Sequence, residues 1–280
     1  MILDAHTHIF PPEICRHRED YFGEEPGFRR LYSSPKSKLV EPQELIAALD
    51  EAQVEAAITF GFPWRKEGLW RRHNEVVLEA RRRWPGRLIA FCCVNPLNPG
   101  APREVERCLG AGAQGVGELA WYEDEVGGAD LIRALAPIAE LCAQYGVPLM
   151  LHANEPMGAV YPGKIPLGLT DIYNLIKTFP EVTWILAHWG GGLPFFGLLK
   201  KEVPEVFRRV YFDTAASPYL YRPEIYRLVA EMVGPEKILF GSDYPLLPHS
   251  RYLEEMEAAG TPDDLKEMIL GQNLARLLGW

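Results

Sequence analysis

Six side chains of the types that bind metal ions stand at the ends of short apolar or β-branched runs. They are His6, His8, Glu118, His152, His188 and Asp243. Neutral imidazoles combined with carboxylates suit Zn²⁺ or another divalent ion, and carboxylate ligands beside an open coordination position are typical of catalytic sites. If these side chains meet in the folded chain, they predict a catalytic centre with one or two divalent ions.

Each of these residues also has a simpler interpretation. Two histidines separated by one residue occur often by chance, and a histidine such as His152, after the apolar run 149–151, is commonly a hydrogen-bonded core residue. Only the joint pattern argues for a metal site. Two hypotheses remain for Glu118: it bridges two ions, or it lies outside the coordination sphere and orients a histidine.

The elements that would position these residues form a regular series. We predict strands at 2–8, 56–61, 87–94, 114–119, 147–152, 183–188, 210–214 and 237–243, and amphipathic helical segments at 43–53, 74–84, 131–145, 172–179, 224–233 and 262–278. Eight βα units without an internal linker predict an α/β protein, a (β/α)8 TIM barrel forming one domain over residues 1–280. Its catalytic groups belong at the C-terminal strand ends, where His6 and His8 share one face.

Composition restricts the classes of partner. Thirty-eight acidic and 29 basic residues give a net charge of −9, which disfavours nucleic acid and anionic membranes, and no apolar run approaches the roughly 20 residues of a membrane span. We therefore expect a small-molecule substrate. The first residues resemble no secretory leader, and the five cysteines lack metal-type spacing, so we expect a cytoplasmic protein with reduced thiols. Abundant Arg and Pro and few amides predict a thermophilic source.

Substrate contacts are expected from segments that follow or interrupt the strands. Residues 11–40 are too long for an ordinary loop and predict a cover or insert over the active site. Trp64 and Arg65 follow the second strand and Trp121 and Tyr122 the fourth, so an aromatic, anionic molecule would find stacking faces and a guanidinium. The same side chains could instead pack loops onto the barrel. Among the remaining histidines, His249 is a weaker substrate candidate, and we expect His17 and His73 to face solvent.

Several motifs resemble the amidohydrolase superfamily. The segments Asp4-Ala5-His6-Thr7-His8-Ile9-Phe10-Pro11, Ala187-His188-Trp189-Gly190-Gly191, Leu239-Phe240-Gly241-Ser242-Asp243-Tyr244-Pro245 and Gln272-Asn273-Leu274-Ala275-Arg276-Leu277-Leu278 are similar to its amidohydrolase-related branch. That branch includes aminocarboxymuconate semialdehyde decarboxylase, aromatic-acid decarboxylases and lactonases. The resemblance implies that the six residues form the metal site and that the chain forms a homodimer. Phe195-Phe196 would be an interface patch or a buried loop.

Two departures from the family pattern bear on the reaction. Glu118 stands where many binuclear members carry a carboxylated lysine, and His6 stands where many decarboxylases carry glutamate. Both departures favour hydrolysis, whereas the flanking motifs favour decarboxylation. We therefore expect a hydrolase of an amide, ester or lactone. In that reading the resemblance implies that Asp243 takes a proton from a metal-activated water, while His188 binds a second metal or polarises the carbonyl.

Two further hypotheses remain beside hydrolysis. The first is a metal-dependent, non-oxidative decarboxylase of an aromatic or muconate-type acid, in which His188 acts as an acid/base group and is not a ligand. The second is a metal-stabilised binding protein without catalysis, which the joint retention of Asp243 and the four histidines disfavours. A nuclease of the TatD type would fit Glu118 but conflicts with the net charge.

Overall fold

Eight parallel strands form the centre of the protein and confirm the predicted (β/α)8 barrel. The computed structural model describes residues 1–122 and 126–280. The strands pair in chain order. They are β1 Leu3–His8, β2 Ala56–Phe60, β3 Leu88–Cys92, β4 Gly115–Leu119, β5 Leu149–Leu151, β6 Trp184–Leu186, β7 Val210–Asp213 and β8 Ile238–Leu239. A parallel bridge between Thr7 and Tyr244 joins the segment after β8 to β1 and nearly closes the barrel.

Helices surround the strands. Those of the described residues are α1 Pro12–Arg16, α2 Pro26–Tyr32, α3 Pro42–Glu51, α4 Glu67–Arg83, α5 Ala101–Gly110, α6 Gly128–Tyr145, α7 Leu169–Thr178, α8 Val203–Val206, α9 Ser217–Leu220, α10 Ile225–Val233, α11 Ser250–Ala258, α12 Asp263–Glu267 and α13 Asn273–Leu278. Helix α6 ends at Gly146, whose φ of 66° is the left-handed conformation that glycine adopts without strain. In the described part of the chain, no helix has both the length and the apolarity to cross a bilayer.

The barrel interior is apolar below the level of the site. Leu3, Ile58, Phe91, Met150 and Ile185 belong to one fully buried cluster inside the strands. A second, larger cluster fills the space between the strands and the surrounding helices. The six predicted ligands lie above this apolar layer, at or just after the C-terminal strand ends, where we expect catalytic groups in this fold.

Strand β8 is shorter than the predicted 237–243. The backbone N–H of Phe240 donates to the carbonyl of Ile269 at 2.9 Å and so leaves the strand ladder. The next residue must be glycine, because a Cβ at Gly241 would lie 2.9 Å from Cβ of His6. This close approach brings the segment that carries Asp243 directly against β1.

The segment 11–40 is mostly helical, in contrast to its irregular appearance in the sequence. It contains α1, the 3-10 turn Arg18–Tyr21 and α2. Its Phe28 packs against Trp64, with ring centroids 4.5 Å apart. Arg30 reaches across to two other loops, donating to the carbonyls of Tyr122 and Lys164 at 3.3 and 2.8 Å. The segment is thereby fixed to the loops that follow β4 and β5.

Candidate metal centre and active site

The structure brings the six predicted ligands together at one end of the barrel. His6 and His8 lie on β1, Glu118 on β4, and His152 directly after β5. The Oε1 atom of Glu118 lies 2.9 Å from Nδ1 of His152 and 3.3 Å from Nε2 of His188. Each of the following groups could place three ligand atoms within 4.8 Å of one another: His6, His8 and Glu118; His6, His188 and Asp243; Glu118, His152 and His188.

Three buried ring nitrogens in this cluster lack a hydrogen-bond partner among the described residues. They are Nε2 of His6, Nδ1 of His8 and Nε2 of His152. A buried polar atom without a partner costs free energy unless a water or an ion satisfies it. Imidazole nitrogens and carboxylate oxygens are donors that divalent metals accept. The residues present therefore fit a metal ion.

The electrostatics of the cluster lead to the same conclusion. Burial opposes protonation of His6, but the negative charges of Asp213 and Glu118 outweigh it and raise its pKa to about 10. Burial likewise opposes protonation of His188, yet its hydrogen bond to Glu118 raises that pKa to about 9. Burial opposes ionisation of Glu118, and the neighbouring histidines still hold its pKa well below the usual range. The site carries excess negative charge and favours a bound cation.

His188 differs from the other three histidines of the cluster because protein atoms contact both of its ring nitrogens. Its Nδ1 lies 3.1 Å from the carbonyl of Ala215 and its Nε2 lies 3.3 Å from Glu118. The residue also has a φ of 56°, which is uncommon for a residue with a side chain. Its backbone N–H donates to Oδ1 of Asp213 at 2.9 Å, and this bond holds the left-handed turn.

Asp213 is a residue of the site that the sequence reasoning missed. It ends β7, is fully buried, and its Oδ2 accepts a hydrogen bond from Nδ1 of His6 at 2.8 Å. The signal was available, because Asp213 lies near the end of the predicted strand 210–214 and carboxylates at strand ends had identified Glu118 and Asp243. Asp213 supports two site histidines from behind.

An open cavity of about 630 Å³ lies above the cluster. Its lining includes His8, Glu118, His152, His188 and Asp243 from the centre, and Leu31, Tyr32, Lys36, Ser37 and Lys38 from the segment 11–40. The remaining lining residues are Phe62, Pro63, Tyr122, Ala159, Tyr161, Pro162, Gly163, Ala216, Tyr219, Leu220, Pro245 and Leu246. This volume is within the range of small-molecule sites.

Of the four predicted substrate contacts, the structure places one in the cavity wall. Tyr122 lines the cavity and stacks on Phe62, with ring centroids 5.5 Å apart and planes 5° apart. Trp64 and Trp121 are buried and, like Arg65, are not among the described lining residues. The two tryptophans pack in the hydrophobic core. Arg65 is exposed, and its backbone N–H donates to the carboxylate of Glu25 at 2.8 Å.

The described lining contains two basic side chains, Lys36 and Lys38. Both are exposed, and neither forms an ion pair with a described residue. The turn that presents them is held by the guanidinium of Arg18, which donates to the carbonyl of Ser37 at 2.6 Å. These cationic side chains come from the segment 11–40 and not from the loop after β2, where we expected Arg65.

The three histidines outside the cluster have separate environments. His17 is exposed, as predicted. The prediction for His73 is wrong: it lies on the face of helix α4 that also buries Trp70 and Val77, and it is 1% exposed. His249 is also buried, with Nε2 2.9 Å from Asp4, and is not among the described lining residues.

A (β/α)8 barrel with buried imidazoles and carboxylates at its C-terminal strand ends has the architecture of a metal-dependent barrel enzyme. The family model described as amidohydrolase matches residues 3–280, so the chain belongs to the amidohydrolase family. This confirms the resemblance to the amidohydrolase-related branch.

Similar proteins extend over the whole chain. A 6-methylsalicylic acid decarboxylase of Penicillium expansum is 25% identical over 95% of this chain and 93% of that protein. The structure of 5-carboxyvanillate decarboxylase from Novosphingobium aromaticivorans, complexed with manganese and 4-hydroxy-3-methoxy-5-nitrobenzoic acid, is 17% identical, with a TM-score of 0.78 over 100% of this chain and 96% of that one. A 2,6-dihydroxybenzoate decarboxylase from Rhizobium is 20% identical, with a TM-score of 0.65 over 99% and 98% of the two chains.

These relatives correct the expected reaction. The prediction of a hydrolase is wrong, because the full-length curated relative is named a decarboxylase. The error has an identifiable origin in the weight given to two residue types. The residue types at His6 and Glu118 favour hydrolysis in the family pattern, but a ligand set constrains the ion that is bound more than the bond that is broken.

Proposed function

We propose that the protein is a metal-dependent, non-oxidative decarboxylase of a small aromatic acid. The observation that carries the proposal is a single cavity in which the ring of Tyr122, stacked on Phe62, stands beside a cluster of histidines and carboxylates. Aromatic faces bind a flat ring through offset-stacked or edge contacts. The decarboxylase named among the relatives supports this reaction.

The unpartnered Nε2 atoms of His6 and His152 support these two residues as ligands. His8, whose Nε2 lies 3.1 Å from Oδ1 of Asp243, and Asp243 itself would complete the shell. A bound divalent ion would neutralise the charge of the substrate carboxylate and of an adjacent oxygen. Zinc and manganese both suit this donor set, and manganese is bound in the structure of the 5-carboxyvanillate decarboxylase. Glu118 stands beside His6, His152 and His188 and would orient these rings.

His188 is the residue we assign to proton transfer. Because both of its ring nitrogens contact protein atoms, it competes less well for the ion than the histidines with an unpartnered nitrogen. In the reaction a proton forms a new C–H bond at the ring carbon that bears the carboxylate. The C–C bond to the carboxylate then breaks, its electron pair returns to the ring, and CO₂ leaves. His188 donates from Nε2 and is reprotonated by solvent.

The cover formed by 11–40 has a binding role in this proposal. Tyr32, Lys36 and Lys38 bring one aromatic and two cationic side chains to the cavity. Burial, together with the charges of Asp243 and Glu118, raises the pKa of Tyr32, so its hydroxyl stays protonated and can donate to a substrate oxygen. An aromatic acid offers the ring and the negative charge that these groups complement.

The test is an assay of metal-loaded protein against the acids named for the relatives: 6-methylsalicylate, 5-carboxyvanillate and 2,6-dihydroxybenzoate. We expect CO₂ release from at least one of them, and in D₂O one deuterium on the ring carbon that lost the carboxylate. Metal-free protein should be inactive and should recover with Zn²⁺ or Mn²⁺. Loss of CO₂ that persists without metal, or no turnover of any aromatic acid, would contradict the proposal.

The homodimer remains a prediction of the family resemblance. Phe195, Phe196, Leu198 and Leu199 are all exposed in the single chain, each by between 46% and 69%. Clustered apolar exposure of this kind is typical of contact surfaces. Sedimentation equilibrium of the purified protein decides between a mass of 31.6 kDa and twice that mass.

A further inference from the structure

The carboxylate of Asp213 forms three hydrogen bonds, two of which join it to histidines of the site. Its Oδ1 accepts from the backbone N–H groups of His188 and Ala215 at 2.9 and 3.0 Å. Its Oδ2 lies 2.8 Å from Nδ1 of His6. Asp213 is fully buried and is not among the described residues that line the cavity, so it acts on the site from behind.

The two oxygens therefore have separate tasks. Oδ1 faces two fixed N–H donors, which hold the plane of the carboxylate. Oδ2 must then accept a hydrogen bond from the Nδ1–H group of His6, since an ionised carboxylate has no proton to donate. A metal-bound imidazole is neutral and carries one proton, and placing that proton on Nδ1 leaves the lone pair of His6 on Nε2. That nitrogen is buried and has no partner among the described residues.

We infer that Asp213 is a positioning residue that fixes the proton of His6 on Nδ1, so that Nε2 is available to bind the metal ion, and also anchors the turn at His188. Partners of metal-bound histidines commonly work in this way. Here the same carboxylate reaches a second histidine, which we assign to proton transfer. The inference rests on the proposed metal site and adds a residue that acts through His6 and His188.

Asp213→Asn is the most informative variant because it nearly preserves shape. The two backbone N–H groups of His188 and Ala215 require an oxygen, so the amide oxygen of the new side chain takes the place of Oδ1. The amide NH₂ group then points at Nδ1 of His6 and can only donate. His6 is forced to carry its proton on Nε2, the nitrogen needed for the ion.

Asp213→Ala removes the carboxylate without imposing a wrong tautomer. A water in the vacated space can accept from Nδ1 of His6, so metal binding is weakened less. The fold is damaged more, because the N–H groups of His188 and Ala215 lose their acceptor. The two variants therefore separate the roles: a purely structural Asp213 makes Ala the more harmful replacement in every measurement, whereas a tautomer-fixing Asp213 reverses the order for metal binding.

Asp4→Asn is the matched control. Asp4 is an equally buried carboxylate whose Oδ1 also accepts two backbone N–H groups, those of His6 and Ser242. Its Oδ2 accepts from the hydroxyl of Ser242 and lies 2.9 Å from Nε2 of His249, which is not a proposed ligand. The variant thus removes a buried charge beside the site, but it places no amide NH₂ group against a ring nitrogen of a metal-binding histidine.

The experiment titrates metal-free wild type and the three variants with Zn²⁺ in competition with a chromophoric chelator, and records a thermal melt of each metal-free protein. We expect the dissociation constant to rise about 100-fold for Asp213→Asn and about 10-fold for Asp213→Ala, and to change by less than about threefold for Asp4→Asn. The melting temperature of Asp213→Ala should be below that of Asp213→Asn.

A spectroscopic readout completes the test. In Zn²⁺-loaded wild type, ¹⁵N NMR should detect a protected Nδ1–H of His6, and this signal should be absent from Asp213→Asn. Wild type that binds Zn²⁺ while Asp213→Asn binds equally well, or affinities that simply follow the melting temperatures, would overturn the inference and leave the proposed function intact. Wild type that binds no divalent ion would overturn both.

Discussion

Two buried histidines, His6 in the cluster and His73 behind the cavity wall, differ in ways that burial alone does not reveal. They are 0% and 1% exposed. Both nitrogens of His73 have protein partners: Nδ1 accepts from the indole of Trp64 at 2.9 Å, and Nε2 lies 2.5 Å from the carbonyl of Ile9. His6 has Asp213 on one nitrogen and no partner among the described residues on the other.

Their pKa values move in opposite directions because the charges around the two rings differ. Burial lowers the pKa of His73 to about 4, because no carboxylate contacts it. Around His6 the charges of Asp213 and Glu118 outweigh burial and raise the pKa to about 10. A histidine with complete protein partners stabilises the fold, whereas one with an unsatisfied nitrogen among carboxylates is available to an ion. The following variants test this distinction.

The largest expected effect comes from His152→Ala, with His73→Ala as its control. Removing the unpartnered nitrogen of His152 should abolish stoichiometric metal binding and lower kcat/KM by roughly 10³-fold or more, because the ion supplies several kcal/mol of transition-state stabilisation. Circular dichroism should show a folded protein. His73→Ala should instead lower the melting temperature and keep metal binding. Unfolding of His152→Ala but not of His73→Ala would refute the distinction.

His188→Asn separates proton transfer from ligation within the cluster. We expect a loss of roughly 10²- to 10⁴-fold in kcat, the usual contribution of a general acid, with the metal content per chain unchanged. The measurement pairs single-turnover CO₂ release with elemental analysis. If metal content falls in proportion to the rate of CO₂ release, His188 is a metal ligand like His152.

The sequence allowed the barrel and most of the cluster to be predicted, because both are repeated local patterns. Each βα unit has its own apolar strand, and a polar residue at the end of a strand in a barrel points to the common mouth. The end of β8 was not predictable, since it depends on the hydrogen bond from Phe240 to Ile269, a tertiary contact. Asp213 was predictable by the rule that had identified Glu118.

Trp64 and His73 are two residues whose environments the local sequence pattern did not predict. Trp64 follows a strand, as a substrate contact would, yet it packs on Phe28 from a distant segment of the chain. His73 precedes a run of arginines that suggests a solvated helix, but Trp70 and Val77 lie on the same buried face of α4. Extending the helical period toward the N-terminus by one turn would have placed His73 in the core.

Acid denaturation provides a smaller effect that reports on His73. Its folded pKa of about 4 lies below the ordinary value of 6.5, so the unfolded chain binds more protons between these values. Stability therefore rises with pH through this window, and about 3 kcal/mol is lost as the pH falls from 6.5 to 4. The free energy of unfolding, measured with urea at several pH values in this range, should rise more steeply with pH in wild type than in His73→Leu. An equal dependence on pH in the two proteins would mean that the pKa of His73 is not lowered by folding.

The smallest expected effect concerns the cations of the cavity rim and extends the comparison to exposed charged groups. Lys36 and Lys38 are exposed and form no ion pair with a described residue, so each should contribute only the modest attraction of a screened surface charge. Replacing both with Met should raise KM for an anionic aromatic acid about two- to tenfold without changing kcat, and should flatten the salt dependence of kcat/KM. Lys200 and Lys201, exposed and outside the described cavity lining, are the matched pair. A rise in KM from that pair equal to the rise from the rim pair would show that the effect comes from net charge alone.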